Sequence, residues 1–273
     1  LDALVVLAER TNMPLTISIP PVVATTLIAD DPELAARLSA ALLGDELLAA
    51  PNLPLEPSAA AAAGLTAEFV RRLRDGEAGL ADEIAGATTQ RSVWFDHGTL
   101  TAGGAEMVRD LGVQLLVLPY EEYARLEGSR PGFTDASLLV ATSMSDDTSL
   151  PIAVIDPVMS LLDPAIDSGN TPAEDAIRIM AEIGAMRSQL EPQPRSFVVT
   201  RPDLGVPDPD VLAYLERFAI EHPDVEFQPL AALPGLTNPF VIDGEWLTVE
   251  LPSTPEIDLK PRVDAEAIER LRL

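Results

Sequence analysis

The sequence predicts an α/β protein: a seven-stranded parallel β/α barrel, closed or incompletely closed. An inserted hairpin and a C-terminal β-hairpin plus helix complete the expected architecture. Three observations carry that expectation. Short apolar, β-rich runs alternate with longer helical stretches, as in serial strand–helix units. The run Val113-Gln114-Leu115-Leu116-Val117-Leu118 is apolar on both faces apart from Gln114, as buried parallel strands are. Hydrophobic residues make up 47% of the 273, enough to fill a core of that size. A doubly wound open sheet is the alternative. The barrel is expected over residues 1–234, with 235–273 as an extension packed on it or leading to a further domain.

The first run is Leu15 to Ile19, stopped by Pro20-Pro21. Asp31-Pro32 opens a helix, with Asp as N-cap and Pro in the first helical position. The second run, Glu46 to Ala50, ends at Pro51, and three prolines between 51 and 57 impose a loop. Alanines 59–63 and the stretch from Phe69 to Leu73 are helical. The third run is Arg91 to Asp96. A helix from Thr101 to Leu111 ends at Gly112, and the fourth run follows at 113–118. Residues 138–142 form a strand that turns back through polar 143–148 as a hairpin with the fifth run, Pro151 to Asp156. Thr171-Pro172-Ala173-Glu174 is a capping box for a helix reaching Leu190. The sixth run is Arg195 to Thr200. Asp208-Pro209 caps a helix through Glu221, and the seventh run is Val225 to Gln228. Phe240-Val241-Ile242, Asp243-Gly244 and Glu245 to Val249 read as a hairpin with a type I′ turn. A last helical pattern spans Asp264 to Leu273.

Composition removes several function classes. Asp and Glu number 44 against 18 Lys and Arg, a net charge of −26. Such a chain repels phosphate backbones, so no nucleic-acid partner is expected. Lys260 is the only lysine, and the densest basic cluster, Arg71, Arg72 and Arg74, reads as the solvated face of a helix. There are no cysteines, hence no disulfide, thiolate nucleophile or Cys-based metal site. With His97 and His222 alone, a three-histidine zinc site cannot be assembled. No apolar run reaches the ~20 residues that cross a bilayer, and no signal peptide is visible. Both ends read as helices cut from something longer. Gly-rich phosphate loops and the Gly-x-Ser-x-Gly elbow are absent.

Ligands of β/α barrels bind at the C-terminal ends of the strands. Asp96, Glu121 and Asp156 follow the third, fourth and fifth runs, and Trp94 or Tyr120 could stack a sugar ring. Two such carboxylates, one protonated and one ionised, are what glycoside hydrolysis needs. The ordinary alternative is that 44 acids place some at strand ends by chance, and that Asp156 before Pro157 is turn chemistry. Asp96-His97 supplies two of the three protein ligands a catalytic metal takes. Against that, His97 serves equally to pack or cap the Gly98 turn. His222 sits at a helix end before Pro223, where a cation complements the dipole. Arg201, ending the sixth run beside Asp203, joins Trp94, His97 and Tyr120 as a candidate ligand contact.

Four segments together carry a family resemblance: Pro14 to Pro20, Pro51 to Pro57 leading into Gly64-Leu65, Trp94 to Leu100, and Leu111 to Leu118. They resemble the central domain of a family of large actinobacterial, exported, membrane-anchored proteins of unknown function. That domain in turn is similar to the glycoside hydrolase/deacetylase (NodB-like) barrel superfamily. The resemblance covers roughly residues 1–235. It implies a seven-stranded barrel, an extracytoplasmic location and an anchor outside these residues. It brings no catalytic assignment. Deacetylases of that superfamily use an Asp-Asp pair ending strand one and a His-x-x-x-His pair. Here strand one ends in Pro20-Pro21, and no such His pair exists. Asp30-Asp31 lies too far along and reads as a helix cap. Neither a metal nor another cofactor is expected.

Three readings follow in order. The first is a non-catalytic binding domain for a cell-wall polysaccharide or an envelope protein. The second is a metal-independent glycosidase using Asp96, Glu121 and Asp156. The third is a residual metal-dependent hydrolase around Asp96 and His97.

Overall fold

Side-chain caps written into the chain start four of the described α-helices. The structure, a computed structural model, describes residues 1–96, 100–130, 139–145, 148–166, 169–188 and 195–253. Helix α1 (Asp2–Arg10) leads to strand β1 (Thr16–Ile17), then to α2 (Pro21–Asp30) and α3 (Pro32–Ala41). Asp31 separates the last two: its Oδ1 accepts from the Leu34 amide at 3.0 Å, and Pro32 occupies the first helical position. Next come β2 (Glu46–Leu48), α4 (Pro57–Ala62), α5 (Thr66–Glu83), β3 (Thr88–Gln90) and β4 (Val93–Phe95). Helix α6 (Ala102–Asp110) is capped by Thr101, whose hydroxyl accepts from the Gly104 amide at 3.2 Å. Strand β5 (Leu115–Pro119) runs into the short α7 (Tyr120–Tyr123). Strands β6 (Val140–Ser143) and β7 (Ser149–Ile155) follow, then a 3₁₀ turn at Pro157–Leu162. Helix α8 (Pro172–Arg187) starts on the expected capping box, and α9 (Pro209–Glu221) starts on Asp208. A turn at Leu230–Ala232, α10 (Leu233–Leu236), and β8 (Val241–Ile242), β9 (Glu245–Trp246) and β10 (Thr248–Val249) complete the described chain.

Strands β1-β2-β3 form one parallel sheet, and β10-β6-β7-β5-β4 form a second. In the second, β4–β5, β5–β7 and β10–β6 are parallel, whereas β6 turns back antiparallel on β7 as the expected hairpin. Residues 88–95 join the sheets. Their first half pairs with β2 and their second half with β5, across a break at Arg91-Ser92.

The expected seven-stranded barrel is corrected on two points. Among the described residues the sheets do not close, and the strands are not seven in one ladder. The expected sixth and seventh strands, 195–200 and 225–228, are not strands. One physical reason lies in β6, which occupies the edge of β7 from Ser149 to Ile152 that a sixth parallel strand needs. Another is how the chain is held beside β1. Leu230 N–H donates to Thr16 Oγ1 at 3.0 Å, and Ala231 N–H to Glu46 Oε2 at 3.4 Å. Side chains stitch that seam, not a backbone ladder, and Pro229 has no N–H to lend.

Both faces of the second sheet are buried, which explains the unbroken apolar run in β5. Leu116, Leu118, Ile152 and Val154 pack with Phe69, Val108 and Tyr123 under α5, α6 and α7. Leu115, Val117, Ala153 and Ile155 pack with Ile179, Ile183 and Leu215 under α8 and α9. The β1-β2-β3 sheet has its own cluster, with Val5, Ile17, Leu38, Leu47 and Leu80. Phe240, Leu247, Val249 and Leu251 of the C-terminal extension belong to the first cluster, and β10 continues the second sheet. The hairpin turn has Asp243 and Gly244 at φ 53° and 90°, the two positive angles a type I′ turn requires. The expected helix at 264–273 lies outside the described residues.

The arginine cluster departs from expectation. Arg71 is exposed, but Arg72 is only 8% exposed, donating to Glu68 Oε1 at 2.8 Å and to the Pro54 carbonyl at 3.3 Å. Hydrogen bonds from Arg71 and then Arg72 hold the Glu68 carboxyl down to about 2. Arg72 thereby anchors the proline-rich loop to α5, a role its helical spacing does not announce.

Candidate functional site

Asp96, Tyr120 with Glu121, and Asp156 follow the neighbouring strands β4, β5 and β7, so the topology brings them to one edge of the sheet. Their local roles differ. Asp96 is 5% exposed; its amide donates to the Val117 carbonyl at 3.0 Å, and its Oδ1 accepts from the Leu100 amide at 3.1 Å. That bond ties the end of β4 to Leu100, ahead of α6. Asp156 Oδ1 accepts from the Val158 amide at 2.8 Å and caps the 3₁₀ turn, the ordinary role of Asp before Pro. Glu121 is exposed in the first turn of α7.

The aromatic candidates are packing residues. Trp94 is half-buried against Phe69, ring centroids 6.0 Å apart, on the side of the sheet covered by α5. Tyr120 packs against the same cluster, 6.4 Å from Tyr123. His97 lies outside the described residues. His222 is the residue ending α9, 4.4 Å from the Phe218 ring. Among the described residues no three His, Cys, Asp or Glu side chains gather as a metal site would require. The Pro20-Pro21 end of strand one starts α2 and offers no donor there.

Arg201 is a clamp. Its guanidinium, 13% exposed, meets Asp163 at 3.0 Å and Asp203 at 2.6 Å, and donates to the Val206 carbonyl at 3.2 Å. Burial alone would raise the Asp203 carboxyl, but the Gly205 amide and Arg201 outweigh it and lower the pKa. A Cβ at Gly205 would lie 2.7 Å from Arg201 Cζ, so glycine there lets the guanidinium reach its partners. The loop so folded carries Leu204 at φ 57°, a left-handed angle uncommon for a branched side chain.

That loop walls a cavity that sequence reasoning missed. It measures about 690 Å³, within the range of small-ligand sites. It lies along β1 where the ladder fails to close, bounded by 195–200, 204–207, 224–230 and the end of α8. Phe95, Phe197 and Phe227 give it aromatic surface, and Ile17, Val199 and Leu230 aliphatic surface. Thr16, Ser18, Ser196 and Gln228 add polar groups, and Arg187, Arg195, Asp224 and Glu226 add charges. Arg187 pairs with Asp224 at 2.5 Å. None of Trp94, Asp96, Tyr120, Glu121, Asp156 or Arg201 is among its lining residues. The signal in the sequence was the proline spacing around 202–209 and 223–229, which argues against two central strands.

No protein-family model matches the chain, and no curated protein matches it. Solved structures do. A 4-alpha-glucanotransferase from Thermococcus litoralis superposes with a TM-score of 0.58 at 14% identity, over 99% of this chain and 39% of that one. The Puue allantoinase superposes with a TM-score of 0.54 at 13% identity, over 88% of this chain and 73% of that one. This chain therefore spans well under half the length of the glucanotransferase. The mixed α/β fold with parallel sheets is therefore similar to theirs. Among the described residues no helix is long and apolar enough to cross a membrane.

Proposed function

We propose that this chain is a non-catalytic, glycoside hydrolase/deacetylase-like domain that binds a cell-envelope ligand, glycan or protein, in the cleft beside β1. In this reading the domain is extracytoplasmic and its parent protein is membrane-anchored. One observation carries the proposal: the candidate carboxylates do not line the cavity. Asp96 and Asp156 accept from the Leu100 and Val158 amides, and neither they nor Glu121 are among the residues lining the 690 Å³ cleft. A hydrolase needs its acid and base within hydrogen-bond reach of the bond being broken. A fold similar to glycosidase and hydrolase barrels supports descent from such enzymes, not retention of their chemistry.

The competing reading, a metal-independent glycosidase, is favoured by the placement of Asp96, Glu121 and Asp156 on neighbouring strand ends. The deciding experiment compares wild type with Asp96→Asn, Glu121→Gln and Asp156→Asn on purified cell-wall polysaccharide, scoring new reducing ends and bound material. Saturable binding without turnover, unchanged in the three variants, is expected. Turnover by wild type that drops a hundredfold or more in Asp96→Asn or Asp156→Asn overturns the binding reading. Turnover that appears only with added zinc points to metal chemistry at Asp96 and His97, and overturns it equally.

A further inference from the structure

Independently of the cleft, we infer that the hairpin of β8 and β9 is a docking surface, anchored on Trp246, for a protein segment that carries basic side chains beside apolar ones. Val241 and Trp246 are paired across the hairpin, so their side chains share one face. Both are exposed, by 38% and 48%. Ile242, next along β8, takes the opposite face and packs on the first core cluster. Folding thus buries one face of the hairpin and leaves an indole and a valine of the other in water. Tryptophan is highly buried on average, and at protein interfaces it is a preferred anchor.

The platform is firmly held. Phe240 N–H donates to the Leu139 carbonyl at 2.9 Å, Leu247 N–H to the Phe240 carbonyl at 2.6 Å, and Ala141 N–H to the Leu247 carbonyl at 2.9 Å. Phe240 and Leu247 are buried at its base, and the type I′ turn at Asp243-Gly244 closes its tip. Its place follows from the sheet. Strand β6 runs antiparallel to β7, with Val140 beside Ile152, and β10 runs parallel to β6. The hairpin leads into the start of β10, so it projects at the end of the sheet where β7 finishes. Neither Val241 nor Trp246 lines the cleft.

Charge selects the occupant. The ionisable side chains of the hairpin are Asp243 and Glu245, both exposed, and no Lys or Arg occurs from 218 to 253. Glu121 is exposed at the same end of the sheet, whereas Arg125 is paired with Glu122 at 2.8 Å. The indole face attracts a guanidinium or ammonium, the two acids complement its charge, and Val241 receives an apolar neighbour. The same acids turn away an anionic lipid surface or an acidic peptide. A neutral glycan can stack on the indole but gains nothing from the charge beside it.

The probe is a blocked six-residue peptide of alternating arginine and leucine, titrated by calorimetry into the whole chain. Its glutamate–leucine counterpart and a soluble tetramer of N-acetylglucosamine are the controls. A chain of −26 attracts any cationic peptide to some degree, so the variants decide. Saturable binding is expected, weakened about fivefold or more in Trp246→Ala, a variant that leaves every charge in place. Trp246→Phe should keep most of the affinity. Asp243→Asn combined with Glu245→Gln should lose it, and Asn tolerates the positive φ at 243. The peptide should also shield the exposed indole of the wild type from acrylamide quenching, a readout that needs no variant to fold. Wild-type affinity in Trp246→Ala means that general charge holds the peptide, and overturns the inference. So does the absence of peptide binding, or equal binding of the glutamate–leucine peptide. Binding of the sugar tetramer alone, lost in Trp246→Ala, makes the hairpin a glycan platform and overturns it as well. Glycan turnover would sink the non-catalytic reading of the chain without touching this one.

Discussion

Replacing Gly76 by alanine tests how closely α5 is pressed onto the end of β2. A Cβ there would lie 2.0 Å from the Ala50 carbonyl oxygen, 2.7 Å from the Asn52 nitrogen and 3.0 Å from Pro21 Cγ. Ordinary contact needs about 3.5 Å, so the helix has to withdraw by about 1.5 Å from backbone that cannot yield. Such a gap forfeits much of the dispersion energy of Phe69, Leu73 and Leu80, all buried on the same helix. Against this stands the helix-propensity gain of Gly→Ala, about 1 kcal/mol. Overpacking costs about 1–3 kcal/mol and more where backbone is struck, so a net loss of about 2–4 kcal/mol is expected. Gly79, three residues on in α5, is the internal control: nothing lies within 4 Å of its added Cβ. Gly79→Ala should stabilise by about 0.5–1 kcal/mol. Urea unfolding followed by far-UV circular dichroism, with the m-value held constant, reads both. Two variants shifting in the same direction, or Gly76→Ala matching wild type, would refute the packing argument.

Thr171→Ala removes the capping box in which the Glu174 amide donates to Thr171 Oγ1 and Glu174 Oε2 accepts from the Thr171 amide at 2.7 Å. A loss of about 1 kcal/mol is expected in the same assay, and none would show that α8 is held by packing alone. Glu68 has a folded-state carboxyl near 2, below its ordinary value, so its contribution is complete above pH ~4.5 and disappears as pH falls toward 2. Exposure of Arg71 reduces that contribution to about 1–2 kcal/mol. Glu68→Gln should therefore flatten the acid limb of the stability profile, and an unchanged limb contradicts the assignment. Burial raises the Asp45 carboxyl despite the Leu15 amide donating to it at 2.9 Å. Ionisation there opposes folding, so stability associated with this group declines as pH rises through its pKa. Asp45→Asn, which keeps an acceptor for Leu15, should hold its own or gain at pH 7 relative to pH 4; a larger loss at pH 7 would refute this.

Local chemistry was legible in the residues. Asp31, Thr171 and Asp208 start helices because each pairs a short polar acceptor with Pro in the next position. Asp243-Gly244 turns a hairpin because both positions take positive φ. The apolar continuity of β5 correctly announced burial on both faces. What stayed hidden depends on partners far along the chain. Thr88-Thr89-Gln90 lacks an apolar pattern, and becomes a strand only because β2 presents an edge to it. Thr248-Val249 continues the main sheet beside β6, more than a hundred residues earlier, which no local signal encodes. Residues 195–200 and 225–228 have strand-like composition but no open ladder to join. The candidate site suffered most from this. Asp96 and Asp156 follow β4 and β7, yet the cleft arises from what the strands fail to do. Arg201 was found by position, and its task emerged only with Asp163, Asp203 and Gly205 around it.

The break at Arg91-Ser92 has a mechanical consequence. Among the described residues, only the eight from Thr88 to Phe95 carry ladder bonds to both sheets, and the two halves of that stretch bond to different neighbours. A force that separates the sheets loads this stretch together with the side-chain seam of Thr16 and Glu46 to Leu230 and Ala231. Beside it, the Arg91 guanidinium bonds the Glu77 carboxylate of α5, bracing the joint from the helical side. Single-molecule extension should therefore show the first rupture at this joint and seam, releasing the β1-β2-β3 portion while the five-stranded portion still holds.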